Sequence, residues 1–116
     1  MEVSQGEVWW GPAPHKSSPA YRPWLVVSDA SRPFADVECI VVGMTTQDHP
    51  EGIGVPDAAW IRGGSRKDAY VSPWYVATIK HSDLDNQQGE LDQSLVADAL
   101  DALHDYTSLA DGDGPE

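Results

Sequence analysis

The chain has 116 residues, 41% of them hydrophobic, with 19 acidic residues against 7 Lys plus Arg for a net charge of −12. That length supports one domain with a single modest core. No run of about 18 apolar residues exists to span a membrane, and the opening MEVSQGEVWW lacks the basic-then-apolar pattern of a secretory leader. The charge is uneven. Residues 81–116 hold 10 Asp or Glu and no Lys or Arg, whereas residues 1–80 hold 9 acids and all 7 bases, a balance of −2. The phosphate repulsion that the whole-chain average implies therefore does not extend to the first 80 residues. Asp outnumbers Glu by 13 to 6 and only 3 Lys occur. This is the surface composition expected in a high-salt cytoplasm, where a Debye length of about 3 Å makes self-repulsion cheap. An ordinary acidic mesophilic protein is the rival reading, and a soluble cytoplasmic protein is expected on either.

In chain order, GEVWW (6–10) reads as an aromatic-rich opening strand. GPAPHKSSPAY (11–21), with three prolines, two serines and a glycine, reads as a loop. RPWLVVS (22–28) is a second strand whose continuous apolar run predicts burial on both faces. DASRPFAD (29–36) is a turn-rich connection to a third strand, ECIVVGMTT (38–46). There Cys39 reads as a small buried hydrophobe rather than a reactive thiol, and Gly43 as a bulge or a point of close approach. QDHPEGIGVPDAAW (47–60) holds too many Pro and Gly for regular structure, although AAWI suits a short strand.

RGGSRK (62–67), closed by Asp68, breaks the chain before AYVSPWYVATIK (69–80), read as two strand pieces kinked at Pro73. In LDQSLVADALDALHDYT (91–107), Leu95, Val96, Ala99, Leu100 and Leu103 share one helical face. Asp98, Asp101 and Asp105 take the opposite face, and Asp92 is the N-cap. One domain over 1–108 and a flexible acidic tail over 109–116 are expected. Five or six short strands followed by one helix predict a mainly β fold, a small bent barrel with a C-terminal helix packed on it.

The succession GEVWW, RPWLVVSD, VVGMTTQ, ATIKHSDL, GELDQSLVADALDAL resembles the PemK/MazF family of toxin endoribonucleases over about residues 6–107. Each motif is weak alone; five in the same order are specific. The resemblance implies a Src-homology-3-like barrel forming a homodimer, a toxin of a type II toxin–antitoxin system that cleaves single-stranded RNA or mRNA without a metal. It also implies a cognate antitoxin as partner, with operator DNA reached only through the antitoxin complex. No cofactor is expected, and no two His or Cys residues show metal-ligand spacing.

RNA cleavage of this kind needs a group to take the 2′-hydroxyl proton, another to protonate the leaving 5′-oxygen, and a cation on the crowded phosphorane. Arg22, directly before Pro23, matches the family's catalytic arginine; its planar fork holds two phosphate oxygens and keeps its charge. A loop arginine ahead of a strand is the bland alternative. Thr45 matches the family's hydroxyl at the end of the third strand, with Thr46 beside it, and strand alternation predicts that one of the pair faces the site. His15, next to Lys16, is the candidate proton carrier. Arg62, Arg66 and Lys67 form the densest basic cluster, and Trp74 and Tyr75 are candidate stacking platforms along an RNA path.

Trp24 and one of Trp9 or Trp10 are assigned to the core or a dimer interface. His49, His81 and His104 are assigned to the surface or an interface. The stretch before the TI segment departs from the family. Ala77 stands where a basic residue is usual, and no carboxylate appears between Ser72 and Thr78. A catalytically silent member that binds RNA or an antitoxin is therefore the alternative to an active nuclease. A small β-barrel interaction module is the alternative outside the family.

Overall fold

The computed structural model describes residues 2–13 and 20–110. The opening aromatic run forms β1 (Glu7–Pro12), the apolar run behind Arg22 forms β2 (Tyr21–Val26), and the β-branched run 38–45 forms β3 (Glu38–Thr45). The Pro/Gly-rich region contributes two short strands, β4 (Ile53–Val55) and β5 (Trp60–Gly63). A long strand follows, β6 (Ala69–Lys80), then β7 (Gln87–Leu91) and the helix α1 (Gln93–Tyr106). All pairings are antiparallel, in the order β4-β6-β3-β2-β1-β7-β5.

The two edge strands, β4 and β5, are consecutive in the chain, with only residues 56–59 between them. The five steps from Val55 to Trp60 reach roughly 18 Å at most, so the two ends of the sheet must curl toward each other. That is the physical origin of the half-barrel, and α1 closes it by packing on β6 and β4.

The apolar side chains divide between the two faces of the sheet. One cluster joins Val8, Leu25, Val42, Met44, Val71 and Leu91 to Leu95, Val96 and Ala99 of the helix. The other joins Trp24, Val26, Cys39, Val41, Ile79 and Leu84, with Trp9 and Tyr75 packed against it. Alternate residues of β2 enter opposite clusters, which is what its uninterrupted apolar run predicted. Burial pushes the Cys39 thiol up to about 11, as expected of a core cysteine. Asp92 caps α1 by accepting from the Leu95 amide at 2.9 Å, and the buried face is the one read from the periodicity.

Several expectations change. The sheet has seven strands rather than five or six. The strand β7 was not anticipated, because Leu91 is the only strongly apolar residue in QQGEL. The segment 69–80 is one strand, not two pieces. Between the pairs Gly43–Ser72 and Val42–Val76 it carries Pro73, Trp74 and Tyr75 as a bulge, where a proline costs no ladder bond. His81 is not a surface residue. It is 8% exposed in a short 3-10 turn (His81–Asp83), held by its amide donating to the Val37 carbonyl at 2.9 Å. Among the described residues no helix is long and apolar enough to cross a membrane. Of the tail expected at 109–116, residues 111–116 lie outside the described residues.

Candidate functional site

The ladder between β2 and β3 runs Val26–Val41, Leu25–Val42, Trp24–Gly43 and then stops. The same register carried two residues further sets Arg22 against Thr45. Instead of pairing there, the strands part, and a groove of about 290 Å³ opens between them. It is lined by Trp10, Tyr21, Arg22 and Pro23 from β1 and β2, by Met44, Thr45 and Thr46 at the end of β3, and by Ser65, Ala69 and Gln88. Both threonines line it, because β3 ends at Thr45 and strict alternation ends with it. The Thr45 hydroxyl accepts from the Gln47 amide at 3.1 Å, which fixes the oxygen and leaves its proton for another acceptor.

The bulge in β6 supports Arg22 from behind. It turns Trp74 and Tyr75 in different directions, and the Tyr75 ring comes to rest under the guanidinium, 4.7 Å from its carbon. Trp24 meets the same ring edge-on at 5.1 Å. The stack fits because residue 43 is a glycine. A Cβ there would lie 2.8 Å from Tyr75 Cδ2 and 3.4 Å from Arg22 Nη1. Gly43 is thus both the close-approach point and the site of the register shift that the sequence indicated. The guanidinium makes no ion pair with a described residue, and its buried Nε finds no hydrogen-bond partner among them. Such a charge, desolvated and stacked but not neutralised, favours an anion.

The remaining expected residues do not all converge on the groove. Arg62 is on β5, across the sheet, where it pairs with Glu90 at 2.8 Å and reaches Glu7 at 3.7 Å. Arg66 and Lys67 are exposed in the turn whose Ser65 lines the groove. Trp74 faces away, toward His49 at 5.0 Å and Tyr106 at 6.3 Å. His15 and Lys16 lie outside the described residues. Trp24 is fully buried, Trp9 packs on the same cluster, and Trp10 lines the groove.

Sequence reasoning missed Tyr21 and Gln88. Gln88 could not be placed without β7, whose Gly89 packs so closely on β5 that a side chain there would meet the Arg62 carbonyl. Gly63, at φ +69°, makes the matching approach from the other strand. These two glycines let the 63–67 turn lean over the groove, where Gln88 Nε2 donates to the Gly64 carbonyl at 3.0 Å.

Solved structures share this architecture. A MazF (Form-I) from Deinococcus radiodurans superposes with a TM-score of 0.73 at 15% identity, over 94% of this chain and 99% of that one. An endoribonuclease from a mycobacterial species superposes at 0.68 with 19% identity, over 95% of each chain. An endoribonuclease in complex with its cognate antitoxin, from a mycobacterial species, gives 0.64 at 17% over 90% of each. At such identities the likeness shows the fold. No curated protein matches the chain. The family comparison is specific: residues 4–107 match the PemK-like, MazF-like toxin of type II toxin–antitoxin systems, and the chain belongs to that family.

Proposed function

We propose that this toxin is an endoribonuclease that cuts single-stranded RNA at the groove between β2 and β3, leaving a 2′,3′-cyclic phosphate and a 5′-hydroxyl. The observation that carries the reading is Arg22, a guanidinium without a carboxylate among the described residues, stacked in place and sharing an open groove with the Thr45 hydroxyl. In the reaction the substrate's 2′-oxygen bonds to phosphorus as its proton leaves, and the bond to the 5′-oxygen breaks as that oxygen gains one. Arg22 supplies the positive charge that the crowded phosphorane needs, in the role a metal ion fills in other nucleases. Its Nε–H, which has no hydrogen-bond partner among the described residues, gains an acceptor when a phosphate oxygen arrives. Thr45 donates its free proton to the same phosphate. His15 is the candidate proton carrier.

A second reading has its own observation. The described residues lining the groove include no imidazole and no carboxylate. If His15 does not reach it, the protein binds RNA or an antitoxin without cutting. Either way we assign the toxin unit to residues 1–108, with a homodimer, a cognate antitoxin and a cytoplasmic site of action. Two of the similar structures, the mycobacterial complex and a MazE–MazF assembly from Deinococcus radiodurans, hold such a partner.

The test is incubation of the purified protein with long unstructured RNA in molar KCl plus EDTA, followed by analysis of the new ends. Cyclic phosphate and 5′-hydroxyl ends are expected from the wild type and absent from R22A. Retarded but intact RNA would replace the nuclease by the silent binder.

A further inference from the structure

The groove is lined by groups of two opposite kinds. On Arg22 and Thr45 they are donors: the Nε–H, which has no hydrogen-bond partner among the described residues, and the Thr45 hydroxyl proton. On Gln88 and Ser65 they are acceptors. Gln88 has its Nε2 committed to the Gly64 carbonyl at 3.0 Å. The reverse orientation would set two oxygens against each other, so the amide direction is fixed by its surroundings. The atom left over is Oε1, which is buried and has no hydrogen-bond partner among the described residues. Ser65 gives its hydroxyl proton to the Lys67 carbonyl at 2.7 Å and keeps only lone pairs. Both side chains line the same groove as Arg22 and Thr45. Of its lining residues, Trp10 and Tyr21 are 37% and 55% exposed and offer flat aromatic faces.

We infer that Gln88 and Ser65 form a base-selecting subsite that accepts a nucleobase bearing an exocyclic amine and rejects uracil. The inference deepens the RNA-cleaving reading above and rests on it for its biological meaning. An amine carries two N–H donors on one nitrogen and can satisfy Gln88 Oε1 and Ser65 Oγ together. Uracil has one ring N–H between two carbonyls, and those carbonyls would face the protein's acceptors lone pair to lone pair. Stacking on Trp10 or Tyr21 tolerates every base and adds affinity without choice. Choice comes from the buried acceptor, which loses its only available partner when the wrong base enters. The donors on Arg22 and Thr45 then take the adjoining phosphate, which places selection next to the bond that breaks.

Cytosine against uracil is the decisive comparison, because the two rings match in size and differ where the amine replaces a carbonyl. Binding of fluorescent oligo(dC) and oligo(dU) of equal length to the full chain is measured by anisotropy. The deoxy backbone prevents cleavage, and uniform sequence removes any question of register. The wild type is expected to prefer oligo(dC) by about tenfold, the equivalent of roughly 1.4 kcal/mol. In Q88L and S65A the ratio is expected to fall toward one. A wild-type ratio near one, or a ratio unchanged in both variants, overturns the inference. Should Q88L fail to fold by circular dichroism, S65A, in an exposed turn, decides. Cleavage of mixed RNA is scored in parallel. Cutting without a cytosine preference sinks the subsite and spares the nuclease, whereas preference without cutting sinks the nuclease and keeps the subsite.

Discussion

Arg22 and Arg62 come from the same curled sheet, yet they are held by opposite means. Arg62 is more than half exposed and spends its charge on Glu90 and Glu7. Arg22 is partly buried, rests on an aromatic ring, and meets no carboxylate among the described residues. A protein gains little from an exposed ion pair such as that of Arg62 and loses stability by desolvating a guanidinium such as Arg22 without an anion. The two arginines therefore separate stability from function. The costly one is where a ligand is expected to supply the missing charge, and the neutralised one is architecture.

The largest break in that comparison comes from removing Arg22. R22A should lower the rate of RNA cleavage by about 100- to 1000-fold, the usual loss when a preorganised group stabilising transition-state charge is deleted. Its melting temperature should stay level or rise, since a partly buried charge without an ion-pair partner among the described residues leaves with it. R22K should recover little, because an ammonium neither forks onto two oxygens nor stacks as a plane. A cleavage rate within a few-fold of wild type in R22A would end the assignment.

Next in size is Gly43. In G43A the new methyl falls 2.8 Å from the Tyr75 ring, so the ring must shift and the guanidinium stacked on it loses its support. Overpacking of this kind costs about 1–3 kcal/mol of stability. A displacement of about 1 Å at a catalytic group is worth up to about 100-fold in rate. Chemical denaturation and single-turnover cleavage would read the two effects separately. Y75L is milder. It removes the aromatic face and leaves the bulge, so cleavage should fall by about 2- to 30-fold, matching a cation–π contact of roughly 0.5–2 kcal/mol.

What the sequence made legible follows the same division. Strands β1 to β3 and the helix announce themselves through local signals: apolar runs between Pro/Gly loops, and Asp92 ahead of a 3.6-residue repeat. The meeting of Arg22 and Thr45 needed more, since nothing local says where two strands stop pairing; resemblance to the family supplied that expectation. Strand β7 could not be read, because its place depends on close glycine contacts between Gly63 and Gly89 rather than on apolar pattern. With β7 went Gln88, and with the bulge at Pro73 went the reason that Tyr75 faces Arg22 while Trp74 faces the helix. Grouping Arg62 with Arg66 and Lys67 by sequence density overlooked Glu90, which pairs with Arg62 across a ladder 28 residues away.

The smallest effects come from Arg62, and salt sharpens them. R62A should cost no more than about 1 kcal/mol in dilute buffer and change cleavage by less than about twofold, as for exposed ion pairs in general. In molar KCl the Debye length falls to about 3 Å, and even this stability difference should vanish. The wild type should meanwhile become markedly more stable as salt relieves repulsion within the −10 of residues 81–116. The R22A defect should persist under the same conditions, because a stacked, partly buried guanidinium touching a phosphate is screened far less than a surface pair. Melting curves and cleavage rates for the three proteins across a KCl series would decide. If the Arg22 and Arg62 variants lost their distinction at high salt, burial would not be what separates the two arginines.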